Sequence, residues 1–432
     1  MNPAPFEVVI LNDYASPTGG STAVALAAAA GLAAHDVPVT YFSAVGPVAP
    51  LLTSHPRLTP VCLDQTDLGR NPRRWRAVVD GCRNARAVRA LRTVLARKSR
   101  ARTVVHAHTW SQALSPFTLA AVRRMGFRLV LTLHDYFVAC PNGQFFVYPA
   151  RQVCRRVPLS GACWLCNCDR RHFGHKLWRN ARAALQHRLL QASARPAFCI
   201  GVSDFSLNLL RPHLPPAVPT RVVRNPVDGV RADPAPVAGN REFLFIGRFE
   251  PEKGVLLFAR AARAAGVDAT FVGDGSLLPA LRTLCPHARF TGWLPPGAIA
   301  AERRRARALV FPSLWTETFG LAAAEAMAAG VPAIVSDQCA ATDFIAHDVN
   351  GRHFAHGSVL ALTEQIRALA HDPALAARLG RAGHETYWRD PWTTDRHVRE
   401  LLEVYGEVLA PDRPSLPGAP IHESADCVGT GR

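Results

Sequence analysis

Two glutamates eight positions apart, Glu317 and Glu325, are the residues whose types and spacing most directly suggest chemistry. The first follows a short apolar run that is typical of a strand. The second lies in a run of Ala, Leu, Glu and Met, residues that favour a helix. A strand that leads through a loop into a helix places that loop where open α/β sheets bind their ligands. Ionised carboxylates there accept hydrogen bonds from hydroxyl groups, such as those of a sugar and a ribose.

The same pair also fits a plainer interpretation, in which one glutamate caps a helix and the other lies on its surface. Glu325 argues against it because its helix neighbours are almost all small or apolar, and a carboxylate in such surroundings needs a partner. Gly330 is placed to end the helix, and Pro332 begins the next apolar run. The sequence therefore predicts a strand–helix–strand unit with both acids near its ligand-binding end.

A second candidate motif lies upstream, where a strand pattern ending at Gly247 is followed by Arg248, Lys253 and an amphipathic helix. Backbone N–H groups and the helix dipole already favour an anion at the start of a helix. Two added cations there describe a site for a diphosphate. The lysine stands out because the chain has only three lysines (Lys98, Lys176 and Lys253) among fifty basic residues.

From Gly247 to Phe354 the chain resembles the nucleotide-binding half of a large family of retaining glycosyltransferases. That family also contains sucrose-phosphate synthase and many bacterial cell-surface sugar transferases. The shared motifs occur in order: Gly-Arg-x(4)-Lys-Gly (247–254), Gly-Asp-Gly (273–275), Phe-x-Gly (290–292), Pro-Ser (312–313) and Glu-x(7)-Glu (317–325). The chain departs from the pattern after Ser336, where similar proteins carry Gly-Gly and Glu and this chain has Cys-Ala-Ala-Thr-Asp.

The resemblance implies an α/β fold of the GT-B type (family 4-like), with two Rossmann-like domains that face each other across a cleft. It also implies retaining transfer from a nucleotide-diphosphate sugar, without a cofactor or metal ion in catalysis. Carried over position by position, it assigns catalytic roles to His134, Arg248, Lys253 and Glu317. The residues expected to bind the donor are Gly19, Gly20, Gly247, Gly273, Gly275, Thr318, Phe319, Gly320 and Glu325.

The roles that the resemblance implies divide the donor among these residues. Arg248 and Lys253 hold the diphosphate and stabilise the charge that grows on it. Glu325 binds the ribose, and Glu317 orients the transferred sugar. The acceptor attacks on the face from which the leaving group departs. The spacing of the two acids does not exclude a covalent intermediate.

The amino-terminal half fits the same pattern. A predicted strand (8–11) leads through a polar loop to Gly19, Gly20 and a helix (21–34), and paired glycines at a helix start let a ligand approach the backbone closely. Two further apolar strands end in His108 and His134. A lone Gly-Gly pair or histidine is more often structural, so the expected contact of His134 with donor sugar or acceptor comes from the resemblance.

The length of 432 residues exceeds what one core usually organises, and predicts two domains. The first is predicted over 1–230, with a cysteine-rich insertion at about 138–170. A proline-containing linker (231–241) precedes the second domain over 242–386. In the resembled family a segment such as 387–410 crosses back onto the first domain. The Pro/Gly/Ser-rich stretch 411–432 predicts a disordered tail.

Five of the eleven cysteines lie between positions 140 and 168. Cys163 and Cys166 have the two-residue gap that lets one turn present two thiolates to a metal, and Cys140 and Cys154 would complete a four-thiolate structural zinc site. Reduced, unligated thiols and a redox switch are the alternatives. Disulfides are not expected, because the start of the chain lacks a secretory pattern and a cytoplasmic location is predicted.

The net charge of +17 and the pI near 10.1 point to anionic partners. Basic clusters at 73–76 and 97–102 are either solvated faces or sites that dock on the inner face of the plasma membrane, where a lipid-linked acceptor would lie. The longest apolar stretch, 24–34, is too short to span a bilayer. The expected location is therefore cytoplasmic and peripheral to the membrane.

The expected partners are a nucleotide-diphosphate sugar and a glycan or lipid-linked acceptor, in synthesis of bacterial surface polysaccharide or lipid-linked glycan. Another GT-B enzyme, such as a nucleotide-sugar epimerase or a phosphorylase, would share the fold. A basic, zinc-stabilised nucleic-acid-binding protein is the second alternative. The sequence lacks the interleaved aromatic–basic stripe of such a protein, and this alternative leaves the two acids unexplained. No nucleic-acid partner is therefore expected.

Overall fold

The computed structural model describes residues 6–410 as two α/β units, each built on one parallel sheet. This is the two-domain α/β architecture that the sequence predicts. The stretch 411–432, predicted to be a disordered tail, lies outside the described residues. No helix within 6–410 has both the length and the apolar character needed to cross a bilayer.

Among the described residues, the first unit contains nine strands, of which seven form a parallel sheet and two form a small hairpin. They are β1 (Glu7–Tyr14), β2 (Val39–Val45), β3 (Leu58–Cys62), β4 (Thr103–Ala107), β5 (Arg128–Leu133), β6 (Phe146–Val147), β7 (Gln152–Val153), β8 (Phe198–Gly201) and β9 (Thr220–Val222). The sheet order is β3-β2-β1-β4-β5-β8-β9, and β6 pairs with β7 in the cysteine-rich insertion.

Seven helices accompany these strands. They are α1 (Gly20–Ala34), α2 (Arg74–Cys82), α3 (Ala85–Leu95), α4 (Pro116–Arg124), α5 (Gly161–Leu165), α6 (Phe173–Gln191) and α7 (Asp204–Leu210). The predicted helix at 21–34 is present as α1. The strand patterns that end at His108 and His134 are present as β4 and β5, which each end one residue earlier than the histidine.

The second unit has a six-stranded parallel sheet and the remaining helices. The strands are β10 (Glu242–Ile246), β11 (Ala269–Val272), β12 (Arg289–Gly292), β13 (Ala306–Phe311), β14 (Ala333–Ser336) and β15 (Gly351–Phe354). The helices are α8 (Val255–Ala265), α9 (Leu278–Leu284), α10 (Pro296–Arg305), α11 (Leu321–Ala328), α12 (Val359–His371), α13 (Pro373–Arg389) and α14 (Thr394–Leu409). The sheet order is β12-β11-β10-β13-β14-β15.

Both sheets reverse their strand order beside their first strand. β1 pairs with β2 on one side and β4 on the other, and β10 pairs with β11 and β13. The loops that leave neighbouring strands at such a point diverge, which opens a crevice for a ligand at the carboxyl ends of the strands. The glycine-containing loops after β1 and β10 therefore begin at the two positions where a doubly wound fold binds ligands.

The last described helix, α14, returns to the first unit and packs against its core. Its side chains Val398, Leu401 and Val404 belong to the same apolar cluster as strand β1. The hydroxyl of Tyr405 lies 2.7 Å from Nδ1 of His106 on β4. Residues 387–389 belong to α13 rather than to this return, because α13 continues to Arg389.

His397 on α14 gives this contact a pH dependence. Its Nδ1 lies 2.9 Å from the carbonyl oxygen of Arg224, and burial lowers the pKa of His397 to about 4. The folded protein thus keeps this ring neutral at pH 5, whereas the unfolded chain protonates it near the ordinary value of 6.5. A group with a lowered pKa of this kind contributes stability above the unfolded pKa that is lost as the pH falls.

We predict that His397→Gln weakens the dependence of stability on pH. Between pH 7 and pH 5 the free energy of unfolding should fall by about 2 kcal/mol less than in the wild type, because one proton-binding difference is removed. Urea unfolding at the two pH values measures this, and His371→Gln, at an exposed histidine on α12, is the control. An unchanged pH dependence in His397→Gln would contradict the assignment.

Candidate functional site

Glu317 lies in the loop between β13 and α11, where its carboxylate is surrounded by hydrogen-bond donors. Nζ of Lys253 lies 3.1 and 2.8 Å from its two oxygens. The Oε2 atom also accepts from Ser313 Oγ at 3.1 Å and from Trp315 Nε1 at 2.9 Å. Only 9% of the residue is exposed, so these donors replace the water that an ionised acid would otherwise need. The acid is therefore held in one orientation.

Lys253 reaches this acid from the loop after β10. A short 3-10 turn (Pro251–Lys253) ends at Gly254, which has a φ of 67° and precedes α8. A Cβ on Gly254 would lie 1.9 Å from the carbonyl oxygen of Pro312, after β13. The ammonium group also lies 5.2 Å from the centre of the Trp315 ring, within the range of a cation–π contact. Direct contacts therefore hold the loops after β10 and β13 together.

The predicted donor glycines form a second close backbone contact. A Cβ on Gly273 would lie 2.0 Å from the carbonyl oxygen of Gly247, and its φ is 134°. Its amide donates to the carbonyl of Gly292 over 2.9 Å. A Cβ on Gly275 would lie 2.6 Å from the carbonyl oxygen of Phe249. The structure therefore brings the three glycine motifs together, and each needs a residue without a side chain.

Arg248 lies beside these glycines with about half of its side chain exposed. Its Nη2 is 3.3 Å from Oε1 of Glu252, a nearly fully buried acid whose Oε2 has no hydrogen-bond partner within 6–410. Arg248 and Glu252 line a cavity of about 310 Å³ together with Trp315 and Asp135. The guanidinium is thus available to an anion that enters this cavity.

Glu325 is on α11, as predicted, and its partner is Arg303 on α10. Arg303 is buried and forms an ion pair with Glu325. This pair satisfies the need for a partner that the sequence indicates, but the sequence does not identify the arginine. The structure does not bring Glu325 into contact with Lys253 or Glu317. Its role at a ribose stays a prediction.

The start of α11 joins the two units. Thr318 donates from Oγ1 to the carbonyl oxygen of His134 over 2.9 Å, and its own carbonyl accepts from Ser203 Oγ over 2.7 Å. Phe319 is buried against Phe344 and the ring of Trp392, so only its backbone is available for the predicted donor contact. Gly320, with a φ of 97°, precedes the first turn, whose amides lack partners within the helix.

The paired glycines at the start of α1 lie opposite this turn. A Cβ on Gly20 would be 2.9 Å from Cδ1 of Leu321, the first residue of α11. A Cβ on Gly19 would meet nothing within 4 Å among the described atoms. The loop after β1 therefore closes on the helix that carries Glu325, and Gly19 leaves open space beside it.

His134 follows β5 at the cleft, but its ring is directed to another histidine. Its Nε2 lies 2.9 Å from Nδ1 of His108, and the two rings stack 5.2 Å apart. Burial lowers the pKa of His134 to about 3, so the ring is neutral at physiological pH. The predicted contact of His134 with donor or acceptor stays a prediction.

The next residue, Asp135, lines the same cavity as Arg248, and burial raises the pKa of this acid to about 7. Sequence reasoning assigned no role to Asp135. Its position directly after His134, at the carboxyl end of a strand, was the signal that could have identified it.

The four predicted zinc ligands have separate contacts. Cys140 Sγ donates to Asn142 Oδ1 over 3.1 Å, and Cys163 Sγ accepts from the buried Lys176 Nζ over 3.5 Å. Cys154 Sγ lies 3.9 Å from Arg156 Nη1. Cys166, like these three, is a free cysteine. Within 6–410, no group of three or more Cys, His, Asp or Glu side chains is placed to hold one metal ion. The arrangement does not favour the zinc hypothesis, and metal analysis remains its test.

Comparison with known proteins identifies two family models that match in succession. The model described as Glycosyltransferase Family 4 matches residues 18–231, and Glycosyl transferases group 1 matches residues 230–386. Glycogen synthase from Mycobacterium tuberculosis is 28% identical, over 74% of this chain and 82% of that protein. Phosphatidyl-myo-inositol mannosyltransferase from Mycobacterium leprae is 30% identical, over 38% of this chain and 46% of that protein.

The fold matches that of solved structures. Sucrose-phosphate synthase from Thermosynechococcus elongatus superposes with a TM-score of 0.72 at 19% identity, over 93% of this chain and 99% of the other. This likeness supports the two-domain GT-B architecture.

We predict that Gly254→Ala lowers the free energy of unfolding by about 2–5 kcal/mol, from a positive φ and an overlap with Pro312 that cannot relax cheaply. Gly297→Ala on α10 is the matched control, since a Cβ there would meet nothing within 4 Å. It should change stability by less than about 1 kcal/mol, in the stabilising direction. Urea denaturation compares the two, and equal stabilities would show that the two loops are not packed as described.

Proposed function

We infer the reaction of this chain from its membership of the family 4-like GT-B glycosyltransferases, since the Glycosyltransferase Family 4 model matches residues 18–231 and the Glycosyl transferases group 1 model matches residues 230–386. The chain is a GT-B hexosyltransferase that uses a nucleotide sugar. The observation that carries the proposed mechanism is the contact of Lys253 with Glu317 at the point where the second sheet reverses its strand order. The bond that breaks joins the diphosphate to the sugar. A cation there can stabilise the diphosphate, and an acid can accept hydrogen bonds from the sugar.

The proposed donor places its diphosphate against Lys253, Arg248 and the first turn of α11. Each cation is paired with an acid: Lys253 with Glu317 and Arg248 with Glu252. Phosphate oxygens can accept from the same ammonium and guanidinium groups, and the first-turn amides of a helix favour an anion. As the bond to the anomeric carbon breaks, negative charge grows on the diphosphate and these groups stabilise it. We propose that this suffices for departure without a divalent cation.

The proposed transfer retains the anomeric configuration. Three side chains hold Glu317 in one orientation: Lys253, Ser313 and Trp315. This restraint suits an acid that accepts hydrogen bonds from sugar hydroxyls better than one that must move to attack carbon. The acceptor oxygen forms its bond to the anomeric carbon on the face from which the diphosphate leaves. The proton of the acceptor hydroxyl passes to the departing diphosphate oxygen.

We further propose that the protein binds an anionic membrane surface and a lipid-linked acceptor for surface glycan synthesis. On α2, Trp75 is 65% exposed, and Val78 and Val79 are exposed on the same helix. The neighbouring α6 exposes Phe173 and Leu177. Exposed arginines interrupt the apolar residues of α2, and basic and apolar side chains together suit an anionic bilayer surface. The relative named as a phosphatidyl-myo-inositol mannosyltransferase is consistent with a lipid acceptor.

The function is tested by screening UDP-, GDP- and ADP-sugars for a rise in melting temperature, which a bound donor produces by mass action. The sugar that binds should release nucleoside diphosphate in the presence of this protein. Lys253→Ala should lower that release rate by a factor on the order of 10²–10³. Lys98→Ala, which removes a lysine paired with Glu7 in the first unit, should leave it unchanged. No thermal response to any nucleotide sugar would refute the proposal.

Membrane binding is tested by sedimentation with vesicles of phosphatidylglycerol and phosphatidylethanolamine. The wild type should sediment with them, less so at high salt, which screens the arginines. Trp75→Ser should reduce the bound fraction several-fold, because an interfacial aromatic side chain is lost. Leu360→Ser, at an equally exposed apolar residue on α12, should not. Equal loss in both variants, or no binding by the wild type, would exclude this surface.

A further inference from the structure

A cavity of about 610 Å³ lies in the first unit, between α2, α6 and the loop after β4. Four arginines line it, together with two aromatic side chains; they are Arg74, Arg171, Arg179, Arg182, Phe137 and Trp178. None of the described residues that line it is an aspartate or a glutamate. The wall is therefore cationic and partly aromatic.

Arg182 is the cation in this wall that most needs a partner. The residue is 8% exposed, its guanidinium lies 5.7 Å from the centre of the Trp178 ring, and its Nη2 has no hydrogen-bond partner in the described chain. Burial lowers the pKa of Arg182 to about 10, so it is charged at physiological pH. A buried charge with unmet donors is costly unless an anion compensates it.

The nearest acids do not meet that need. Asp13 is fully buried and attracts Arg182, but its oxygens accept from the amides of Gln112, Ala113 and Leu114 at 2.7–2.9 Å. These bonds hold the loop after β4 against β1. Neither Asp13 nor Asp135, the other acid that attracts Arg182, forms a salt bridge with it, and Arg182 forms none elsewhere within 6–410. Asp13 thus shapes the wall instead of neutralising it.

A second arginine in the wall is also available. Arg171 is exposed and forms no salt bridge with a described residue, whereas Arg179 pairs with Asp169 at 3.3 Å. The Nη1 of Arg74 donates to the carbonyl oxygen of Gly69 over 2.8 Å, which leaves its remaining donors for a ligand. Arg171 and Arg182 therefore supply two positive charges that no described acid balances by direct contact.

This cavity adjoins the donor site. It shares Gln112, Phe137, Arg171 and Arg179 with the smaller cavity that is lined by Arg248 and Trp315. Its wall also includes Val78, from the exposed apolar face of α2. A ligand in the larger cavity would therefore lie between the donor and the surface proposed to meet the membrane.

We propose that this cavity binds the phosphoryl group of the acceptor, an inference that rests on the proposed glycosyltransferase function. Guanidinium groups match phosphate oxygens in forked pairs, and Arg182 and Arg171 are placed to provide them. The aromatic side chains Phe137 and Trp178 pack against the attached sugar or carrier. The acceptor is thus a glycan whose phosphate or diphosphate ester is held in the first unit while its hydroxyl reaches the donor sugar.

Calorimetric titration of the full chain with three probes tests this site: glucose 1-phosphate, geranyl phosphate and uncharged geraniol. At least one phosphate should bind and geraniol should not. Arg182→Lys should weaken phosphate binding at least tenfold by removing the fork, and Arg171→Ala, at an exposed position that tolerates substitution, by about three- to tenfold. Arg188→Ala is the control, because it removes an exposed arginine from α6 outside the cavity.

Each titration is repeated in Lys253→Ala protein, which separates this cavity from the donor diphosphate site. Tighter binding of geranyl phosphate supports a lipid-linked acceptor, and tighter binding of glucose 1-phosphate supports a soluble phosphorylated one. Three outcomes would overturn the proposal. Geraniol could bind as tightly as the phosphates, phosphate binding could be lost in Lys253→Ala but kept in the arginine variants, or the arginine variants could bind phosphate with the wild-type affinity. The response of the wild type to nucleotide sugars is measured separately, so the donor function can hold while this site fails.

Discussion

The second unit depends on one buried ion pair, between Glu317 and Lys253. An acid that is 9% exposed needs donors, and it receives them from residues on two loops that follow different strands. The pair therefore requires the loops after β10 and β13 to touch, and Gly254 allows this because any side chain there would meet the backbone of Pro312. Cation and acid are thus held together, and in the proposed mechanism the donor exchanges their contact for contacts with phosphate and sugar.

The same loop carries one of the contacts between the two units. Thr318, next to Glu317, bonds to His134 and Ser203 of the first unit. Neutral hydrogen bonds of this kind contribute about 0.5–1.5 kcal/mol each, so separating the units at this point costs little compared with unfolding either. The packing of α14 against the first core is far more extensive. The two units are therefore joined by the apolar packing of α14 as well as by polar contacts of this loop.

The sequence predicted what is encoded locally. Apolar runs, glycines and helix formers placed β10, β13 and α11 to within one or two residues, since each pattern is complete within a few positions. It could not predict partners that tertiary packing supplies. Glu325 pairs with Arg303, twenty-two positions away on another helix, and His134 turns to His108 on the neighbouring strand. The cysteine spacing indicated a shared site, but spacing does not fix side-chain direction, and the described thiols do not gather around one point.

Arginine is so frequent in this chain that its presence at a position carries little information, so the burial and the partners of individual arginines must be compared. Several arginines pair with acids at the surface, where such pairs contribute little. Arg303 is buried, but the carboxylate of Glu325 balances its charge, so Arg303 needs no anionic ligand. Arg182 is buried to a similar degree, but no described acid forms an ion pair with it. A buried charge is costly unless an anion compensates it, so this difference in acid partners supports the proposal that an anion binds in the cavity beside α6.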